Sequence, residues 1–341
     1  VVEPLADNFI KRFHDDRTAA LNCDDIDVSD FYLGKVFILG FYVGVFGWCL
    51  LKVCVIGLGL MGSALAKRLK SVGFDVVVYN RTLDKAKRFA KELGVEFAES
   101  PGKCCREADV SVIFVADDEA LIDVVFMSGG IAGEVRGKDV VNMSTVSTAI
   151  STRVSRVVYD GGGRYVEAPV WGSVSEVLEG KLIAMVASDT ELSDNVKKFL
   201  SVVAQRTIFV GEVPKAMVLK LALNQLNMVI VATLSETLPF LKIYGVDFKF
   251  FEELVKGSWI EPIVSRFLKR AVEEHPPRFR VELAAKDLQC FIESARIKKL
   301  DTPITAAAMQ RYLEAVLHGY GDKDYPNVAK YILDTIEKMK K

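Results

Sequence analysis

The run Lys52 to Gly62, K-V-C-V-I-G-L-G-L-M-G, places Gly57, Gly59 and Gly62 directly after an apolar strand pattern and directly before a helical one. Each glycine has a physical task in such a turn. Gly57 permits the tight turn, Gly59 lets backbone N–H groups approach a pyrophosphate, and Gly62 lets the helix pack closely on the strand, so that the helix N-terminus faces the anion. Leu58, Leu60 and Met61 fill the positions between and are counted with the glycines as contacts of a dinucleotide. A second strand pattern, Phe74 to Tyr79, ends at Asn80-Arg81-Thr82, where such folds inspect the adenosine ribose. An acid there would take the 2′-hydroxyl and repel a 2′-phosphate. A guanidinium flanked by an amide and a hydroxyl instead binds that phosphate through charge-assisted hydrogen bonds, so the expected cofactor is NADP, as NADPH, rather than NAD.

A second pair of residues could do chemistry on a carbonyl. Lys220 and Asn224 are spaced i, i+4 in a long helical pattern and share one face, which is otherwise an apolar stripe. A lysine sunk near a nicotinamide can give its proton to a carbonyl oxygen as hydride arrives. Upstream, Glu167-Ala168-Pro169 leads into Val170-Trp171-Gly172-Ser173, a strand end followed by a loop whose backbone N–H groups could cradle a carboxylate. Val170, Trp171, Gly172 and Ser173, with Lys220 and Asn224, are the expected substrate contacts.

The elements that must position these residues are visible as a change of period along the chain. Strand-like runs near 52 to 56, 75 to 79, 110 to 115, 139 to 143, 165 to 168, 182 to 187 and 206 to 210 alternate with helical patterns. That alternation predicts an α/β fold, a Rossmann-type doubly wound and mostly parallel sheet. Val115 and Ala116, at the carboxyl end of the third of these runs, join the expected cofactor contacts. After Gly211 the strand signal ends: 215 to 244 reads as one long helix bent at Pro239, followed by further helices. The expected organisation is an atypical N-terminal extension over 1–50, an NADP-binding domain over 51–212, and an all-helical substrate and dimerisation domain over 213–341. The active site is expected in the cleft between the last two, because a dinucleotide projects from the carboxyl ends of the strands.

Composition narrows the function classes. The 341 residues are half hydrophobic with a net charge of −1, so there is no single-signed field to recruit nucleic acid. The three histidines, His14, His275 and His318, are scattered, and neither a zinc motif nor a serine-histidine triad can be assembled from their spacing. No metal is expected. Six cysteines (Cys23, Cys49, Cys54, Cys104, Cys105, Cys290) lack a paired spacing and read as plain thiols of a reducing, cytoplasmic compartment. The first fifty residues differ from the rest: residues 1 to 30 carry eight acids against three Lys/Arg, and Val36 to Leu51 is an apolar run of 16 residues. That run is borderline in length for a membrane span, but it leads straight into a central strand, and the acidic leader lacks the basic start of a signal peptide. It is read as a non-functional extension, a gene-start artefact with Leu51 where an initiator would stand, and membrane attachment is not expected.

Taken together, the glycine motif with Met61, Asn80-Arg81-Thr82, Met143-Ser144-Thr145, Ala168-Pro169-Val170, Lys220 with Asn224, and Lys286-Asp287-Leu288 resemble, in order and spacing, the β-hydroxyacid dehydrogenase family. That family includes 3-hydroxyisobutyrate dehydrogenase, tartronate semialdehyde reductase and glyoxylate/succinic semialdehyde reductase. The resemblance runs from about Leu51 to about Asp324. It implies a Rossmann domain followed by a helical one, Lys220 as the catalytic acid/base with Asn224 assisting, Thr145 and Lys286 on the cofactor, and a substrate carboxylate held by the loop after Pro169. The N-R-T triplet and the run Gly211-Glu212-Val213 look most like the NADPH-dependent semialdehyde and glyoxylate reductases.

The implied reaction is hydride transfer between nicotinamide and a small carboxylate-bearing aldehyde or β-hydroxyacid, by a homodimer or homotetramer. Three departures bear on the substrate: Trp171 stands where the family has serine, and Pro214 and Ala216 stand where it usually has glycines. Two other readings compete. A 6-phosphogluconate-type decarboxylating dehydrogenase would carry a histidine just before the helix asparagine, where this chain has Leu223. A non-catalytic interaction protein on the same fold would be expected to lose the lysine, and Lys220 is present.

Overall fold

A computed structural model describes residues 51–339, so the expectations for the N-terminal extension, and for Cys23 and Cys49, lie outside the described residues. Among the described residues, nine strands form one sheet: β1 (Lys52–Ile56), β2 (Asp75–Tyr79), β3 (Glu96–Phe97), β4 (Val110–Ile113), β5 (Asp139–Asn142), β6 (Arg164–Glu167), β7 (Val170–Trp171), β8 (Leu182–Ser188) and β9 (Ala204–Gly211). The spatial order is β3-β2-β1-β4-β5-β6-β8-β7, with β9 also paired to β8. From β3 to β6 all pairs are parallel, whereas β8 runs antiparallel to β6 and to β7. The order 3-2-1-4-5-6 is that of a dinucleotide-binding doubly wound sheet. Its two-residue strands β3 and β7 were not expected from the sequence, since two residues are too few to show an alternating pattern.

Among the described residues, seven α-helices accompany the sheet: α1 (Leu60–Ser71), α2 (Leu83–Leu93), α3 (Pro101–Glu107), α4 (Asp118–Phe126), α5 (Thr148–Asp160), α6 (Val174–Glu179) and α7 (Asp194–Val203). The central strands are apolar on both faces because both are covered. Along β1, Val53 and Val55 face a core with Leu65 and Leu69 of α1 and Phe199 of α7. Cys54 and Ile56 point the other way, toward Cys104 of α3 and Val154 and Val158 of α5.

This second face holds a correction. Cys54 and Cys104 are joined by a disulfide, with Cα atoms 5.6 Å apart, rather than being plain thiols. They lie fifty positions apart in the chain, and only the packing of α3 onto β1 brings them together. Cys105 and Cys290 are free and buried.

Beyond the sheet come α8 (Lys215–Ile243), α9 (Phe248–Val255), α10 (Glu261–Val272), α11 (Val281–Ile297), α12 (Pro303–Ala315) and α13 (Val328–Met339). The chain is therefore a Rossmann-type sheet followed by an all-helical bundle. The 29-residue α8, with Pro239 inside it, is long and apolar enough to cross a membrane, yet its buried side is spent on protein contacts. Met217 and Leu221 pack with the sheet-side core, whereas Met228, Val231 and Leu238 pack with Phe267 of α10, Leu288 of α11, Tyr312 of α12 and Val328 of α13. One helix thus straddles both halves, and the residues between Leu221 and Met228 lie where the two cores meet.

Candidate active site

The glycine loop has the shape its sequence predicts. Gly57 has φ of +102°, and a Cβ there would lie 2.3 Å from the carbonyl oxygen of Phe114 at the end of β4. A Cβ on Gly62 would lie 1.9 Å from the Gly57 carbonyl oxygen, so both positions exclude any side chain. Gly59 differs: nothing lies within 4 Å of where its Cβ would be. It is the N-cap of α1, which has neither a side-chain cap nor an acid in its first turn, so the first N–H groups of that helix are left for a ligand. An open cradle at the positive end of a helix fits a dinucleotide pyrophosphate. Leu58 is fully buried, Met61 packs against the core and Leu60 is exposed, and the Leu58 backbone is already engaged, its N–H by Asn80 Oδ1 and its carbonyl oxygen by Ser63 Oγ.

The triplet Asn80-Arg81-Thr82 divides its work. Asn80 turns inward: its Oδ1 accepts the Leu58 N–H at 3.1 Å and its Nδ2 donates to the Thr82 carbonyl at 3.3 Å, bracing the glycine loop. Thr82 is the N-cap of α2 but makes no side-chain cap bond. Arg81 is 83% exposed, with one distant ion pair to Asp123 at 4.0 Å. An exposed pair of that length holds a guanidinium weakly.

Val115 is partly exposed and Ala116 exposed at the end of β4, and the Val115 N–H donates to Ser144 Oγ at 2.9 Å. Next to Ser144, Thr145 offers its carbonyl oxygen to Lys286 Nζ at 2.6 Å. This bond crosses from the sheet to α11 and closes the site from the helical side.

Lys286 is also paired with its neighbour Asp287, Nζ to Oδ1 at 2.5 Å. Burial works against the Lys286 ammonium, but Asp287, helped by Cys290 and Asp118, prevails and holds its pKa above the ordinary lysine value. The other oxygen of Asp287, Oδ2, accepts from Asn224 Nδ2 at 2.5 Å. One turn before Asn224 sits Lys220, partly buried on the same face of α8. Burial pushes the Lys220 pKa down to about 8; Asp287 opposes that fall and Lys286 adds to it. An ammonium with a pKa close to working pH can both hold a proton and release it, as a general acid requires.

The loop after Pro169 is more structured than the sequence suggests. Val170 is buried and Trp171 partly buried in β7, and the Lys220 ammonium lies 5.7 Å from the centroid of the Trp171 ring. Within about 6 Å such a ring face attracts a cation, so the indole forms one wall beside the lysine. Ser173 caps α6 through a capping box: Glu176 accepts the Ser173 N–H at 2.9 Å as well as its hydroxyl. These hydrogen bonds, the Ser173 hydroxyl first, hold the Glu176 carboxyl down to about 2. The Ser173 N–H, expected in a substrate cradle, is therefore already committed to a carboxylate of the chain itself.

Lys220, Asn224, Trp171, Thr145 and Lys286 are thus drawn into one connected region. Sequence reasoning gave no role to Asp287, which binds both Asn224 and Lys286. Its place directly after Lys286 was visible, but its partner is 63 positions away. Asp118, which accepts the Ser147 N–H at 2.8 Å and braces the chain between β5 and α5, was likewise missed.

Comparison with known proteins agrees with this fold. Residues 52–211 match the family described as the NAD binding domain of 6-phosphogluconate dehydrogenase, and residues 215–332 match that described as NAD-binding of NADP-dependent 3-hydroxyisobutyrate dehydrogenase. Glyoxylate/succinic semialdehyde reductase 2, chloroplastic, of Arabidopsis thaliana is 31% identical over 276 residues, spanning 80% of this chain and 77% of that protein. Glyoxylate/succinic semialdehyde reductase 1 of the same organism is 28% identical over 285 residues, 83% of this chain and 98% of that protein. Among solved structures, a 3-hydroxyisobutyrate dehydrogenase from Salmonella typhimurium shares the fold with a TM-score of 0.69 at 22% identity, covering 82% of this chain and 99% of that one.

Proposed function

Because the chain belongs to the NAD(P)-binding oxidoreductases related to 3-hydroxyisobutyrate dehydrogenase, close to the glyoxylate/succinic semialdehyde reductases, we propose that it is an NADP-dependent reductase of small carboxylate-bearing aldehydes. Glyoxylate, succinic semialdehyde and the oxidised partner of 3-hydroxyisobutyrate define the substrate class. When bound, NADPH supplies the hydride. The chain's own residues do the rest.

The Gly57–Gly62 turn and the start of α1 would receive the pyrophosphate, and Arg81 would pair with the 2′-phosphate. Thr145 and Lys286 would close over the nicotinamide end. Lys220 then stabilises the charge that develops on the carbonyl oxygen and gives it a proton, while Asn224, held by Asp287, fixes the geometry. Trp171 shapes the pocket around the substrate's remaining atoms.

The observation that carries this reading is the Lys220 ammonium. It is partly buried, its pKa is lowered to about 8, and it lies one turn from an asparagine anchored on Asp287. The test is to titrate the purified protein with NADPH and NADH, then to assay glyoxylate, succinic semialdehyde and related short aldehyde acids with each. NADPH-dependent reduction of at least one supports the reading. Binding of neither dinucleotide would overturn it.

A further inference from the structure

Helix α8 carries the proposed acid, and its N-terminus has an unusual support. Its N-cap is Pro214, which has no side-chain oxygen and makes no cap hydrogen bond. A helix that starts this way leaves its first N–H groups without partners, and in a buried setting those groups must be satisfied. The partner comes from the sheet. Glu167, the last residue of β6, is fully buried and accepts the Met217 N–H at 3.1 Å and a hydrogen bond from the Ala216 N–H. Asp189, just after β8, accepts the Val213 N–H at 3.1 Å. A carboxylate at this end also complements the helix dipole. Met217 lies three residues before Lys220, so whatever fixes Met217 fixes the turn from which the lysine projects.

The other oxygen of Glu167 opens a continuous chain of hydrogen bonds. It accepts from Ser151 Oγ of α5, which is 3.0 Å from the Tyr165 hydroxyl. That hydroxyl accepts from Asn142 Nδ2 at 3.0 Å, and Asn142 Oδ1 accepts the Ser144 N–H at 3.0 Å. Ser144 Oγ in turn accepts the Val115 N–H. The members Asn142, Ser144, Ser151 and Glu167 are all buried. The two ends of this chain are the first turn of the lysine helix and the loops at Val115 and Thr145 that are expected to face the cofactor.

We propose that Glu167 is a positioning residue: it anchors the first turn of α8 and, through Ser151, Tyr165, Asn142 and Ser144, holds Lys220 in register with the cofactor-facing loops. This rests on Lys220 being the acid. Asp287 and Lys286 are the charges that act on Lys220, and Glu167 is not among them, so Glu167 influences the lysine through its position.

Burial raises the Glu167 pKa to about 7, against the pull of Ser151 and the Met217 and Ala216 N–H groups, and the charge of Asp189 raises it further. The remaining neighbours in the network, Tyr165, Asn142 and Ser151, carry no charge at neutral pH. Above about 7 the carboxylate grips the helix; below it the neutral acid grips less. The anchor therefore weakens toward acid, while the Lys220 proton is lost toward base.

The test uses the full chain and Glu167→Gln, with two readouts. The first is kcat for NADPH-dependent reduction of glyoxylate and of succinic semialdehyde across pH 5.5 to 9.5. The expected result is a fall of about 10- to 100-fold, the scale of a misplaced catalytic group, with the KM for NADPH little changed and the acid limb near pH 7 abolished. The second needs no turnover: competitive labelling of Lys220 with acetic anhydride, read by peptide mass spectrometry. Its titration midpoint should rise from about 8 toward the ordinary 10.5 as the lysine gains solvent.

If Glu167→Gln does not fold, Ser151→Ala serves instead. It removes a bond that lowers the Glu167 pKa, so the acid limb should move to higher pH. An unchanged kcat and an unchanged Lys220 midpoint in Glu167→Gln, or an unmoved acid limb in Ser151→Ala, overturns the proposal. A parent protein that binds neither dinucleotide would refute the functional reading alone, and the labelling midpoint would still decide this one.

Discussion

Asn224 on α8 donates to Asp287 on α11 at 2.5 Å, and Asp287 holds Lys286 with its other oxygen, so a single carboxylate ties the helix of the proposed acid to the residue that reaches the sheet at Thr145. Removing that charge while keeping the shape has a signed consequence for Lys220. Asp287 raises the Lys220 pKa against burial, so without it the ammonium loses its proton at lower pH. Reduction needs the protonated lysine. Asp287→Asn should therefore shift the alkaline limb of kcat from about pH 8 to lower pH, by about one pH unit. A pH–rate profile that superposes on the parent would show that the carboxylate does not tune the lysine.

Arg81 governs cofactor choice in the proposed mechanism. Arg81→Asp should weaken NADPH binding about 10- to 150-fold, the equivalent of losing a charge-assisted contact of about 1.5 to 3 kcal/mol, while NADH binding changes little. Fluorescence titration with both dinucleotides checks this, and equal losses for the two would remove Arg81 from the 2′-phosphate.

Trp171 is the wall beside Lys220. Trp171→Ser removes the indole and adds a hydroxyl, which should alter the ratio of kcat/KM between glyoxylate and succinic semialdehyde by about tenfold or more, with NADPH affinity unchanged. A constant ratio would place the indole outside the substrate pocket.

The parts of the fold and site legible in the sequence were those whose signals are local. The glycines at 57, 59 and 62 announce a strand, a turn and a helix within eleven positions, and Lys220 and Asn224 share a face because they are one turn apart. What stayed hidden depends on distant chain meeting in space. Asp287 acquires meaning only when α11 packs against α8. Glu167 looks like the end of a strand until the Met217 N–H lies 3.1 Å from it. Cys54 and Cys104 read as unrelated thiols until α3 covers β1. Ser173 illustrates the opposite case: its loop position was legible, but the capping box that engages its N–H depends on Glu176 folding into α6.

The central claim is that Lys220 supplies the proton, and single-turnover hydride transfer in Lys220→Ala, with NADPH already bound, tests it most directly. The interaction removed exists mainly in the transition state, so NADPH affinity should stay close to that of the parent while the transfer rate falls by about 100-fold or more. Lys220→Arg should not restore it, because a guanidinium holds its proton too firmly to act as the acid. A transfer rate in Lys220→Ala within about tenfold of the parent, a barrier difference of only about 1.4 kcal/mol, would show that another residue or water is the acid.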